Sequence, residues 1–319
     1  MHNPLQLLKD VAEDVTVSTE PWCTLADDAT YAAVAAQLAE HLTATHTEEM
    51  LLGSPDLTLP ERLQLQYYFN TVNFAYWVQA DETKWHRRHG GKDVDGSEAM
   101  IAAMEAAGFH TKTPEEILAM TKEDFTAWIG GEGTLHLLPE RVELLHQAAR
   151  FLQEKSWSVQ TLVASAGGDG MALLGILADT TAFADITPLG SMQVPFLKRA
   201  QLLTKVISDC LPAEEKLRGL DQLTAFSDYK VPQALEHLGL LLYSAELRRR
   251  MDDLNIIPKD SPEEGALRLA TIRAVEKLRE VFRRTLGKTL SAGEIDSVLW
   301  ILSQGGNKRA YHRTLTTAY

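Results

Sequence analysis

The sequence predicts a mainly α protein, a compact multi-helix fold with few short strands, on three observations. Thr113-Pro114-Glu115-Glu116, Ser261-Pro262-Glu263-Glu264 and Ser291-Ala292-Gly293-Glu294 each place a hydroxyl three positions before a Glu, the pattern that satisfies the free N–H groups of a helix start. Apolar positions recur at three- and four-residue spacing, as in Leu144, Leu145, Ala148, Phe151 and Leu152, which marks one face of a helix. Alternating stretches are scarce, and no strand–helix alternation of a doubly wound sheet is present.

The elements follow in chain order. An amphipathic run predicts a helix over 28–45. Pro60 at the head of Glu61-Arg62-Leu63 opens the next, over 60–79, and a further one covers 97–107. Pro114 behind Thr113 starts 114–120, Thr121 with Asp124 starts 122–129, and Pro139 starts 139–154, proline being suited to the first turn, where its missing N–H costs nothing. Helices are then expected at 196–210, 230–242, 262–286 and 292–303. Residues 156–159 and 314–319 are expected to pair as short edge strands. Glycine clusters at Gly90-Gly91, Gly130-Gly131-Glu132-Gly133 and Gly167-Gly168-Asp169-Gly170 read as helix–helix connections, because none follows a strand with a phosphate-loop or dinucleotide pattern. No fixed-period repeat divides the chain. It is expected to form a single domain over 1–319, with two helical lobes meeting near 155–195.

Composition narrows the function. A formal net charge of −13 disfavours a surface dedicated to nucleic acid, since such binding draws its affinity from Lys and Arg displacing counterions. A small anionic ligand fits better, taken up by a local basic pocket. Only Cys23 and Cys210 are present, far apart, which argues against a disulfide framework or thiolate metal site. The ten histidines include no metal-binding pattern. No uninterrupted apolar run reaches the roughly 18 residues of a membrane span, and Met1-His2-Asn3-Pro4-Leu5 lacks a signal-peptide start. The expected location is cytoplasmic.

The richest chemistry lies at Thr224-Ala225-Phe226-Ser227-Asp228-Tyr229-Lys230-Val231-Pro232-Gln233. It sets Asp228 between Phe226 and Tyr229 in apolar surroundings, where an ionised carboxylate costs several kcal/mol unless it is paired or hydrogen-bonded. Asp228 is therefore the leading catalytic candidate. Asn73, Tyr76 and Trp77 share a helical face at three- and four-residue spacing, so an amide and two rings form a wall for a planar ligand, or simply core. Lys198 and Arg199, preceded by Asp185, stand at a predicted helix start, where two cations and free N–H groups suit a phosphate. Asp296 and Trp300 lie at i, i+4, and His312 belongs to an ordered-looking tail that ends at Tyr319.

Together these blocks resemble the queuosine salvage family. The likeness runs through Asn73-Phe74-Ala75-Tyr76-Trp77, Phe196-Leu197-Lys198-Arg199-Ala200-Gln201, the Asp228-Tyr229-Lys230-Val231-Pro232-Gln233 block, Arg268-Leu269-Ala270-Thr271-Ile272, Asp296 to Trp300, and His312-Arg313-Thr314. The resemblance implies a mostly helical fold related to DNA glycosylases and release of the base queuine from queuosine 5′-monophosphate. It assigns Asp228 to the ribosyl centre, Lys198, Arg199 and Lys230 to the phosphate, and Asn73, Phe74, Trp77, Asp185, Tyr229, Asp296, Trp300 and His312 to the base and ribose. No metal or other cofactor is expected; the partner is a small nucleotide, without nucleic-acid polymer or membrane. Three departures stand out: Lys230 replaces the family's Arg, Tyr311 replaces a His, and Ala75 and Tyr76 vary the aromatic block. A non-catalytic binding protein for a modified nucleoside and a polynucleotide glycosylase are the competing readings.

Overall fold

The computed structural model describes residues 3–39, 52–305 and 308–319. In the first half, α1 (Gln6–Glu13), strand β1 (Cys23–Leu25) and α2 (Asp28–Leu38) precede α3 (Leu59–Thr71). The hairpin β2 (His86–His89) and β3 (Lys92–Asp95) leads into α4 (Gly96–Ala106), α5 (Pro114–Leu118), α6 (Lys122–Ile129) and α7 (Leu138–Lys155). Next come α8 (Val159–Ser165), α9 (Gly170–Ala178), hairpin β4 (Ile186–Leu189) and β5 (Met192–Pro195), and α10 (Lys198–Cys210). The chain continues through α11 (Lys230–His237), β6 (Leu241–Tyr243), α12 (Ala245–Asp252), α13 (Pro262–Leu286) and α14 (Ala292–Ser303). The fold is mainly α, and its strands form three two-stranded antiparallel ladders, with β1 pairing β6 across the chain.

Local chemistry accounts for the helix starts. Full capping boxes are present at Thr58/Glu61, Thr113/Glu116, Thr121/Asp124 and Ser291/Glu294. At α13, Ser261 accepts from the Glu264 N–H, but the Glu264 carboxylate turns to the Asp260 N–H and the Tyr319 hydroxyl. This 25-residue helix is the central element. Leu267, Leu269, Ile272, Val275, Leu278 and Phe282 are buried on it, and α2, α11 and α14 pack around it. Gly265 lets the β4 hairpin close on α13, since a Cβ there would come within 2.7 Å of Leu189. Most buried apolar side chains from Leu5 to Leu299 belong to one contiguous cluster, and Trp77 and Tyr229 form a second with Ala318 and Tyr319.

Several expectations need correction. The helix from Leu59 stops at Thr71, not 79, because carbonyls beyond that point are taken by two buried arginines rather than by the next helical turn. Asn73, Tyr76 and Trp77 consequently share no helix face. The helix expected to 242 ends at His237, where the chain turns through Gly239 into β6. Gly90 and Gly91 form a hairpin turn rather than a helix connection, a role that glycine pairs fill because both residues take positive φ. Residues 156–159 form no strand: Ser158 caps α8. Among the described residues the 314–319 tail has no ladder partner; the bridge nearest to it joins Arg313 just before it to Ile256. Residues 40–45 of the first expected helix lie outside the described residues. α1, α8, α9 and α12 had no counterpart in the sequence reading.

Candidate active site

A cavity of about 410 Å³ opens between the segment after α3, the β2–β3 hairpin, and the α4, α10, α11 and α14 helices. Asp228 lines it and is 6% exposed. Three tethers fix the extended segment that carries it. Gln201 on α10 exchanges hydrogen bonds with Thr224, Asp296 on α14 accepts the Phe226 N–H at 2.7 Å, and Ser227 donates to the Arg268 carbonyl of α13. Asp228 Oδ1 then accepts the N–H groups of Lys230 and Val231 at 2.7 and 2.9 Å. The carboxylate thereby holds the two backbone N–H groups that open α11. Among the described residues no hydrogen bond reaches Oδ2, so one oxygen is left for the cavity.

Lys198, Lys230, Asn73, Phe74, Tyr229, Asp296 and Trp300 join Asp228 on the cavity wall. Lys198 is buried, and its ammonium has no hydrogen-bond partner among the described residues. Burial pushes its pKa down, while Asp228 and then Asp296 act in the opposite direction. Lys230 reaches over the Tyr311 ring at 4.9 Å; burial, then the neighbouring Lys84, lower its pKa. At the mouth, Lys84 pairs with Asp95 at 2.5 Å.

Four predicted residues sit elsewhere. Arg199 points away from the cavity, donating to the Thr71 carbonyl at 2.7 Å and lying against the rings of Phe74 and Phe183. Asp185 is in a two-pronged ion pair with Arg268, both bonds 2.7 Å, and its Oδ2 also accepts the Lys198 N–H at 2.8 Å. It caps α10 from thirteen residues away and is spent on structure. Trp77 packs with Tyr229, Ala318 and Tyr319 behind the wall and meets the His136 ring at 4.9 Å. His312 contacts the Tyr319 hydroxyl at 3.3 Å rather than the cavity.

Sequence reasoning also missed residues. Lys84, Asp95, Ser97 and Tyr319 line the cavity, beside Tyr76, a ring of the expected ligand wall, and Ser97 donates to Asn73 Oδ1 at 3.2 Å. Tyr319 donates to Glu264 at 2.8 Å, and its backbone carbonyl accepts the Ala75 N–H. Its nearness to the flagged tail was the available signal. Arg141 gave none, since on α7 it reads as one more charged residue. Its guanidinium is fully buried and donates to the carbonyls of His136, Val72, Phe74 and Ala75. Among the described residues no group of three or more His, Cys, Asp and Glu is arranged to hold a metal ion, and no helix is long and apolar enough to cross a membrane.

A family model described as queuosine salvage protein matches residues 58–319, which includes every cavity-lining residue named above. A protein of Sphaerobacter thermophilus is 34% identical over 259 residues, covering 78% of this chain and 79% of its own. One of Nematostella vectensis is 28% identical over 280 residues, covering 79% and 80%. One of Dictyostelium discoideum is 29% identical over 259 residues, covering 78% and 76%. All three carry the name queuosine 5′-phosphate N-glycosylase/hydrolase.

Proposed function

The chain belongs to the queuosine salvage protein family, and from that premise we propose that it is a hydrolase of N-glycosyl bonds, releasing queuine from queuosine 5′-monophosphate. The observation that carries the reading is Asp228: a buried carboxylate with one oxygen fixed by two backbone N–H groups, facing a cavity of about 410 Å³. That volume lies within the range usual for sites that enclose a small ligand.

The chemistry follows from the leaving group. Queuine is a 7-deazaguanine, with carbon where a purine offers a ring nitrogen for protonation. Bond breaking must therefore be assisted at the sugar and by stabilising the departing base. Asp228 stabilises the oxocarbenium character of the ribose and takes the proton of the attacking water. Phe74 and Trp300 stack on the base, while Asn73 and Asp296 read its polar edge, a carboxylate being a suitable acceptor for guanine-like N–H groups. Tyr229 completes the ribose wall. Lys198 lies in the field of Asp228 and Asp296, two carboxylates that would repel a phosphate, so we keep it beside the sugar. The phosphate goes to Lys230, with Lys84 in place of Arg199. Its binding energy orients the sugar against Asp228. Trp77, Asp185, Arg199 and His312 support this wall from behind. A cytoplasmic location belongs to the same reading.

The test is chromatography of the free base after incubating the purified protein with queuosine 5′-monophosphate, queuosine and guanosine 5′-monophosphate. Queuine is expected from the monophosphate, far less from the nucleoside, and no guanine. Tight binding without release would make the protein a nucleotide-binding module instead. Equal release of guanine would remove the assignment to queuine.

A further inference from the structure

We infer that Arg141 and Arg199 are positioning residues that stabilise the negative charge arriving on the departing base, acting through the ring of Phe74. The inference rests on the glycosidase reading. It starts from an imbalance inside the protein. Arg141 and Arg199 are 0% and 1% exposed, and neither forms an ion pair among the described residues. Arg141 donates to four backbone carbonyls and has the neutral Tyr76 hydroxyl beside it as a side-chain partner. Among the described residues Arg199 bonds only the Thr71 carbonyl, and its Nε and Nη2 have no hydrogen-bond partner. The carboxylate whose field reaches Arg199, Asp185, is already committed to Arg268. Two cations are thus buried without a dedicated counterion, an arrangement that apolar side chains of similar volume would replace at lower cost.

Both face one aromatic ring. The Arg141 and Arg199 guanidinium carbons lie 4.2 and 5.4 Å from the centre of Phe74, which lines the cavity. Burial lowers both pKa values to about 10, so both stay charged at neutral pH. Asp228 and Asp296 also line the cavity. In the reaction the C1′–N bond breaks with its electron pair leaving on the base. Water oxygen bonds to C1′, and the proton that Asp228 takes from it ends on the base nitrogen, a net addition of one water. Negative charge accumulates transiently on the ring stacked on Phe74, with two fixed cations behind it in a medium where screening is weak. They also draw π density out of Phe74.

The same arginines hold residues 71–75 in shape, so the test must separate charge from holding. Arg199→Gln keeps an amide N–H for the Thr71 carbonyl and removes the charge. It is to be assayed on 5′-monophosphates whose 7-substituted 7-deazaguanine bases differ in N–H acidity. The expected kcat loss is about 10- to 100-fold, largest for the poorest leaving group, with KM changed only a few fold. Arg199→Lys restores the charge and is expected to return the wild-type slope of log kcat against base acidity. A wild-type slope in Arg199→Gln, at whatever rate, overturns the inference and leaves Arg199 a strut. Should Arg199→Gln not fold, Arg141→Lys decides: charge kept and fork lost, it should show the wild-type slope with a lower melting temperature, and an altered slope counts against us. Wild-type protein that releases no base from any member of the series removes the glycosidase reading instead.

Discussion

The carboxylate side of the cavity hangs from backbone N–H groups, whereas the aromatic side hangs from backbone carbonyls. Asp228 accepts from Lys230 and Val231, and Asp296 from Phe226, at a helix start and in an irregular segment tied to neighbouring helices. Opposite them, residues 72–75 belong to no regular element. They keep their shape because Arg141 and Arg199 reach in from α7 and α10 to bond the carbonyls of Thr71, Val72, Phe74 and Ala75. On one side main-chain N–H groups hold the carboxylates, and on the other main-chain carbonyls hold the buried guanidinium groups behind the Phe74 ring. The difference lies in what each side loses when its charge is removed. An Asp→Asn change keeps an oxygen to accept from the same N–H groups, but no uncharged side chain supplies the donors of an arginine fork.

This contrast is broken most directly at Arg141. Arg141→Met is expected to cost about 3 kcal/mol of stability in denaturant unfolding, because several buried carbonyls lose a charged donor while only part of that loss is offset by the relief of a buried cation. A cost below about 1 kcal/mol would mean that residues 71–75 hold their shape without the arginines.

His312 sharpens the contrast with a smaller effect, being a buried group kept neutral instead of charged. Burial, then the charges of Arg268 and Arg313, lower its pKa from 6.5 to about 3. The unfolded chain therefore takes up a proton that the folded one refuses. Its contribution to stability is complete above the unfolded pKa and is lost as pH falls from about 6.5 towards 3, at up to about 1.4 kcal/mol per pH unit. His312→Asn is expected to flatten the acid limb by that amount in unfolding measurements between pH 8 and 4. An unchanged limb would place the proton uptake elsewhere.

How much of this the sequence discloses depends on the range of the interaction. Thr113 with Glu116 and Ser291 with Glu294 act within one helical turn, and both boxes are readable from residue types and spacing. Asp228 was readable for a related reason: a lone carboxylate between aromatic residues needs local partners, and it finds them two and three residues on. The end of α3 was not readable. Nothing between Val72 and Val78 is a glycine or proline, and the segment is broken by arginines 66 to 128 residues away. The same distance explains Arg199 and Asp185, which look like ligand contacts beside their sequence neighbours and prove to be committed to Thr71 and Arg268. The Gly90-Gly91 turn was present in the sequence and misread, because the flanking His86 to Lys92 lack the apolar alternation that usually announces a hairpin.

The most direct test of the account compares wild type and Asp228→Asn on queuosine 5′-monophosphate, with queuine release followed chromatographically and nucleotide affinity measured by calorimetry. Loss of turnover by roughly a thousandfold or more is expected, with affinity within a few fold and stability within about 1 kcal/mol of wild type. Undiminished release by the variant, or a loss that merely follows lost binding, would contradict the placement of Asp228 at the ribosyl carbon.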